Sequence, residues 1–209
     1  MGFSTQENSG GGYGKIYHDL LRQLGRADIH ACAARLALPV NRAGAAEVPF
    51  LGRTYRVSHD GVRTTDGETP SEVTKSVLIR YILQGRRIRP AGKFVTLAEL
   101  AGPMFKQGSY SASALEKPIS RRFQGRVADL LSLAALAGGR REGEGGLGSI
   151  SLVFDLLPHI VLQLIFYDRD DEFPARTTLL LDRNATLVTD FETLAVMVTV
   201  FVRFLTRPR

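Results

Sequence analysis

Apolar residues near the start of the chain recur with a helical period. Between Tyr13 and Leu24 they follow the i, i+3, i+4, i+7 spacing, and Gly25 supplies a stop signal. Asp28 is a suitable N-cap for a second short helix, which ends by Pro39. These two segments predict an N-terminal helical hairpin that packs against the rest of the protein.

The pattern changes to short β segments between Val48 and Thr65. Gly52 separates the first two segments, and the Asp60-Gly61 dipeptide favours a tight turn before the third. This arrangement predicts a small antiparallel meander. Pro49 should lie on an edge strand, because proline has no N–H to donate to a neighbouring strand.

Three further helix starts are predicted from capping boxes, in which a hydroxyl residue and a glutamate three positions later bond each other's backbone N–H groups. The boxes begin at Thr69, Thr96 and Thr189. We expect the first of these helices to end at Gly85, since glycine commonly follows the last turn of a helix.

Two helices are also predicted in the middle of the chain, over residues 115–123 and 126–137, although Pro118 limits where the first can begin. The stretch from 102 to 113 before them is predicted to be a long loop. Residues 138–148 after them are rich in glycine and charge, and a second loop is predicted there.

The last third of the chain has the strongest pattern. Apolar runs over 150–154, 159–167 and 177–181 predict three strands in a central position, with both sheet faces largely covered. The closing segment over 191–205 is apolar almost all round. Such a helix is buried either between layers of the fold or in a subunit interface.

Together these elements predict an α+β protein: a mainly antiparallel sheet packed with helices, an N-terminal helical hairpin and a buried C-terminal helix. Residues 1–12 are polar and glycine-rich, which predicts a disordered leader, and residues 13–209 are predicted to form a single domain. Oligomerisation through the C-terminal helix is left open.

The charge of the chain is strongly biased toward arginine. It has 27 basic residues against 21 acidic ones, and only five of the basic residues are lysines. Guanidinium groups suit carboxylates and phosphates, although a GC-rich genome produces the same bias. The arginine clusters are spread along the chain rather than along one helical stripe, so only the charge favours nucleic-acid binding.

Neither a membrane span nor a secretory signal is predicted. The longest apolar run, Leu194–Val202, is interrupted by Thr199 and is far shorter than the ~20 residues that a span requires. The N-terminus lacks the basic and apolar regions of a signal peptide. We predict a cytoplasmic protein without membrane contact, in which Cys32 is a small buried apolar residue.

The clearest candidate for chemistry is an acidic turn that contains Asp168, Asp170, Asp171 and Glu172. Four close carboxylates suit Mg²⁺ or Ca²⁺, or a pair of carboxyl groups with different pKa values for acid–base work. The spacing lacks the glycine and the later glutamate of a calcium loop. The alternative is a solvated hairpin turn in which Phe173 packs back onto the core.

His159 is the most interesting of the four histidines because it begins a predicted core strand. A structural, hydrogen-bonded histidine remains the alternative for this residue. The histidines do not fall into metal-ligand spacing, and the glycine-rich segments lack the order of elements that a phosphate or dinucleotide loop requires. No metal site and no cofactor are predicted.

The last third resembles an uncharacterised prokaryotic domain-of-unknown-function family. The residues that carry the resemblance are 162–167, 171–175 and 181–185, followed by the apolar helix, and upstream segments from Tyr13 extend it over nearly the whole chain. The resemblance implies relatives mainly from anaerobes, some with a separate four-cysteine iron–sulfur domain like that of corrinoid iron–sulfur proteins. It implies a fold unit without an established activity.

The leading hypothesis is a non-catalytic accessory module of anaerobic metabolism that binds a small anionic ligand or a redox or corrinoid protein. Its candidate ligand-binding residues are Asp171, Glu172, Arg183 and His159. The alternative is an enzyme that uses the acidic turn, with or without Mg²⁺, and in which Asp171 and Glu172 face a cleft also lined by Arg183 or His159. Nucleic-acid binding is the weaker alternative.

Overall fold

The computed structural model describes residues 13–102, 112–144 and 148–207. The predicted leader, most of the predicted 102–113 loop and part of the predicted 138–148 loop lie outside these ranges. The helices are α1 Tyr13–Leu24, α2 Ile29–Leu36, α3 Glu72–Gln84, α4 Leu97–Ala101, α5 Ala112–Phe123, α6 Val127–Leu136, α7 Ala185–Val188 and α8 Phe191–Thr206. The strands are β1 Ala46–Phe50, β2 Arg53–Ser58, β3 Gly61–Thr64, β4 Phe94–Thr96, β5 Arg140–Glu144, β6 Ile150–Leu157, β7 Ile160–Tyr167 and β8 Arg176–Asp182.

The strands form two antiparallel sheets, which confirms the predicted α+β class. The first sheet is the predicted meander in the order β1-β2-β3, with Pro49 on an edge strand opposite Thr54. The second has the order β4-β8-β7-β6-β5, so the most apolar strand, β7, is central. Strands β6 and β8 pair with β7 on either side, and two hairpins join the three strands in chain order.

One face of the larger sheet packs on the helices. Along β7, Ile160, Leu162, Leu164 and Phe166 are buried, while the residues between them are only half-buried. The outer face is covered less fully than the inner one, although Ser151 and Val153 of β6 are buried on it. Helices pack on one face of this antiparallel sheet, so the alternation of side chains along each strand gives one inner and one outer face.

Helix α8 lies against the inner face of this sheet and contacts α3 and α5 on its sides. The rings of Phe154 on β6 and Phe201 on α8 meet edge to face, with centroids 4.8 Å apart. Half of the sixteen residues of α8 are buried within the chain itself. Cys32 is also buried, as predicted.

Two of the three predicted capping boxes begin at the wrong residue. Thr96 caps α4 with the predicted reciprocal bonds to Glu99, but Ser71, not Thr69, caps α3, and Asp190, not Thr189, caps α8. In both cases a residue one or two positions later in the chain carries a hydroxyl or a carboxylate. That side chain accepts a backbone N–H group from the first turn of the helix. Asp28 caps α2 as predicted.

Three other expectations are corrected by the structure. Part of the predicted 138–148 loop is β5, an edge strand that pairs with β6. His159 does not begin β7 but lies with Pro158 in the two-residue turn before it, at φ 70°. Helix α5 contains Pro118 in its interior, because it begins at Ala112, six residues earlier.

In the part of the chain that the structure describes, no helix combines the length and the apolar character that crossing a bilayer requires.

The turn between β1 and β2 is pressed against the end of α6. Leu51 and Gly52 form this turn with φ values of 50° and 73°, as in the hairpin turns that favour glycine. A Cβ atom on Gly52 would lie 1.9 Å from the carbonyl oxygen of Leu136. Only glycine therefore lets the smaller sheet approach α6 this closely.

We predict that Gly52→Ala lowers the free energy of unfolding by about 3 kcal/mol, because it adds a backbone clash to an unfavourable φ. Gly92→Ala is the matched control, since Gly92 has a φ of 68° and open space where a Cβ would be. It should cost only about 1 kcal/mol. Urea denaturation measures both, and equal losses would contradict the close approach to α6.

Candidate functional site

The structure places the four predicted ligand-binding residues at opposite ends of the larger sheet. Asp171 and Glu172 follow β7, whereas His159 precedes it. Strand β8 runs back antiparallel with Leu181 opposite Leu162, which puts Arg183 near the end where His159 lies. An eight-residue strand is about 26 Å long. The sheet therefore separates the two carboxylates from His159 and Arg183.

The carboxylates of the acidic turn mainly organise its backbone. Asp170 Oδ1 accepts the N–H groups of Glu172 and Phe173, at 2.9 and 2.6 Å. Asp168 Oδ1 accepts the N–H of Gly125 at 2.7 Å, which ties the hairpin to the α5–α6 connection. Asp171 and Glu172 are exposed. Phe173 is 66% exposed, so the expectation that it packs back onto the core is wrong.

Across residues 13–102, 112–144 and 148–207, no group of three or more His, Cys, Asp or Glu side chains is arranged to hold a metal ion.

At the other end of the sheet, a buried carboxylate fixes the backbone around Arg183. Asp182 is 1% exposed and accepts three N–H groups, from Ala91, Gly92 and Asn184, at 2.8 to 2.9 Å. A carboxylate with this many N–H donors is well compensated for its burial. Asp182 thus holds the loop before β4 against the start of α7.

We predict that Asp182→Asn lowers the free energy of unfolding by about 3 kcal/mol, since an amide has one acceptor oxygen and turns an N–H₂ group toward the remaining donors. Asp155→Asn is the control, because Asp155 forms an exposed ion pair with Arg140. Asp155→Asn should lower the free energy of unfolding by less than about 1 kcal/mol. Thermal and urea unfolding test the difference, and similar losses would contradict the structural role of Asp182.

Glu116 on α5 covers part of the edge of β8 that the short strand β4 leaves unpaired. Its Oε1 accepts the N–H of Leu179 at 2.9 Å, and Ser120, one turn later, donates to the hydroxyl of Thr177 at 2.9 Å. Partial burial raises the pKa of Glu116, although the Leu179 N–H and the charge of Arg176 act in the opposite direction. Helix α5 therefore protects this edge from pairing with another strand.

The raised pKa of Glu116 predicts a pH dependence of stability. Folding favours its neutral form, so its contribution is fully present below the ordinary value of 4.5 and is lost as the pH rises through the folded pKa. Glu116→Gln keeps an acceptor oxygen but removes the charge. The wild type should lose stability relative to this variant as the pH rises from the ordinary value of 4.5 through the raised pKa of Glu116, measured in urea titrations. A constant or opposite difference would contradict the burial of this carboxyl.

A cleft lies between the β1–β2 hairpin, the first turn of α3 and the last turns of α8. Its volume is about 340 Å³, within the ~300–1,000 Å³ range of small-molecule sites. Apolar side chains form its floor, and arginines and hydroxyl groups stand at its rim. We call it the arginine cleft; its lining residues are Phe50, Leu51, Arg53, Tyr55, Ser71, Val73, Thr74, Val200, Arg203, Phe204 and Arg207.

The arginines of this cleft differ in their pairing. Arg53 forms an ion pair with Glu68, with 2.5 Å between Nη1 and Oε2. Arg203 and Arg207 have no ion-pair partner among the residues that the structure describes. Burial raises the pKa of Tyr55, so its hydroxyl stays protonated at neutral pH. The rim therefore offers fixed positive charge and hydrogen-bond donors above an apolar floor.

The arginine cleft is not evident from the sequence pattern. Arg203 is the only charged residue of α8 after Glu192, and it stands one turn before Arg207. The signal in the sequence is a single arginine near the end of a mostly apolar helix. Arg203 lines a cleft only because the β1–β2 hairpin lies beside α8, and the sequence pattern does not predict that neighbour.

A family model described as a domain of unknown function, DUF3786, matches residues 28–204, which is most of the chain. No curated protein matches the chain, and no solved structure does. The description of the family assigns no activity, so the geometry of the chain has to suggest one.

Proposed function

We propose that this chain, which belongs to the DUF3786 family, is a non-catalytic binding domain that holds a small anionic ligand in the arginine cleft. The observation that carries the proposal is the position of Arg203 at the rim of a cleft of about 340 Å³ with an apolar floor. A ligand that fits has an apolar or aromatic body and a carboxylate, phosphate or sulfonate group.

The chemistry of the lining supports binding rather than proton transfer. Guanidinium groups stay protonated at all physiological pH values, and the raised pKa of Tyr55 keeps its hydroxyl neutral. Ser71 is occupied as the N-cap of α3, where it accepts the N–H of Thr74 at 3.2 Å. These groups orient an anion and compensate its charge in a partly desolvated site.

The acidic turn is not part of this proposal. An enzyme at that turn would need Asp171 and Glu172 in a cleft with His159 or Arg183, and the larger sheet lies between the two pairs. The two carboxylates are also exposed at the end of a hairpin.

The proposed setting is an accessory role in anaerobic metabolism, with a redox or corrinoid protein as the partner of a single α+β domain. This part of the proposal rests on the family resemblance of segments such as 162–167 and 171–175. The arginine cleft supports the ligand-binding part independently of it.

We predict that the full chain binds 8-anilinonaphthalene-1-sulfonate, a probe with an aromatic body and one sulfonate group, at the arginine cleft. Arg203→Glu should weaken this binding about tenfold or more, because it replaces attraction by repulsion at the rim. Isothermal titration calorimetry measures the affinity, and circular dichroism verifies that the variant is folded.

Arg63→Glu is the matched control, since Arg63 is exposed on β3 and does not line the cleft. It makes the same change in net charge and should leave the affinity within about twofold. The proposal fails if the wild type does not bind the probe, or if the two substitutions have the same effect.

A further inference from the structure

Five exposed cations lie together where the loop after α3 runs along the start of α7. Three hydrogen bonds hold these segments side by side: Arg86 N–H to Val188 O at 2.9 Å, Arg183 N–H to Lys93 O at 2.8 Å, and Asn184 Nδ2 to Arg89 O at 3.1 Å. We call this surface the basic loop patch; its cations are Arg86, Arg87, Arg89, Lys93 and Arg183.

The basic loop patch is a local concentration of positive charge that is separate from the arginine cleft. These five cations are five of the 27 basic residues of the chain, which has 21 acidic ones. The patch lies at the C-terminal end of α3, whereas the arginine cleft lies at its N-terminal end. A helix of 13 residues is about 20 Å long, so the two surfaces are separate.

Cations that follow a helix often bond its free carbonyl groups, but at the end of α3 the carbonyls of Tyr81, Ile82 and Leu83 are already bonded. Arg35 of α2 donates to Ile82 O at 2.7 Å, to Leu83 O at 2.9 Å and to Gly85 O at 3.0 Å. The N–H of Gly85 donates to Tyr81 O at 2.8 Å. The arginines of the patch are therefore not needed to cap α3.

Acidic groups of the same region do not neutralise the patch either. Asp182 is buried, and its oxygens accept three backbone N–H groups. Bonds from Thr96 lower the pKa of Glu99 most and the charge of Arg183 lowers it further, without an ion pair between the two side chains. In the described part of the chain, none of the five cations has an ion-pair partner within 4.0 Å.

An exposed leucine stands beside these cations. Leu187 on α7 is 56% exposed, between Arg183 and the Val188 carbonyl that binds Arg86. We infer that the basic loop patch docks an acidic segment of a partner protein, one that carries an apolar side chain next to its carboxylates. Arginine forks match carboxylates in pairs of parallel bonds, and the leucine adds a contact for an apolar side chain. A phosphate backbone would use the cations but not Leu187.

The test uses the full chain and a fluorescein-labelled peptide, Glu-Asp-Glu-Leu-Glu-Asp-Glu, in anisotropy titrations at about 50 and 150 mM salt. The double variant Arg87→Glu/Arg183→Glu should lose at least about 30-fold in affinity, and added salt should weaken the wild type. Arg42→Glu/Arg63→Glu is the control, because both residues are exposed outside the patch and the charge change is equal. It should change the affinity less than about threefold.

A second variant tests the apolar part of the inference. Leu187→Ser should weaken binding of this peptide about threefold and leave unchanged the weaker binding of a peptide with serine in place of its leucine. The inference is overturned if the wild type does not bind the acidic peptide, or if the control variant loses as much as the patch variant. Tighter binding of a DNA duplex of about 20 base pairs through the same residues would also overturn it, in favour of nucleic acid.

Discussion

The burial of α8 against the larger sheet is the constraint on which the other contacts depend. Its side chains fill the space between the inner face of β6–β8 and the helices α3 and α5, with Phe201 against Phe154. Each fully buried apolar side chain of this kind contributes about 1.5–3 kcal/mol. Because the helix is apolar on nearly every side, its axis and its rotation are set by packing. The charged residues at its ends then have to lie at the surface.

Both proposed binding surfaces follow from that placement. The C-terminal turns of α8 bring Arg203 to the β1–β2 hairpin, which Gly52 holds against α6. Asp182 is the last residue of β8, in the sheet that α8 covers. Its bonds to the loop after α3 hold the basic loop patch in place. The cations of both surfaces are exposed and screened by salt, but those of the cleft stand beside an apolar floor.

The sequence predicts the elements better than it predicts their partners. The periodicity of β7 and α8 identifies both, because burial demands an apolar residue at fixed intervals. The start of α3 is missed by two residues, since both Thr69 and Ser71 are suitable caps and only the chain path decides between them. Strand β5 is missed because an edge strand of charged residues lacks an apolar alternation. Whether the candidate residues meet depends on how β7 and β8 pair, and the sequence of a single strand does not determine that register.

Many arginines of this chain face outward, although it has only six more basic than acidic residues. The roles of the carboxylates explain this. Asp28, Asp168, Asp170, Asp182 and Asp190 all accept backbone N–H groups, at helix starts, in turns or in the loop before β4. A carboxylate held by N–H donors gains its hydrogen bonds without a cation. Acidic residues used in this way stabilise the fold, and within the described ranges Arg203 and the cations of the basic loop patch have no ion-pair partner. The anions that Arg203 and the basic loop patch can bind therefore come from other molecules.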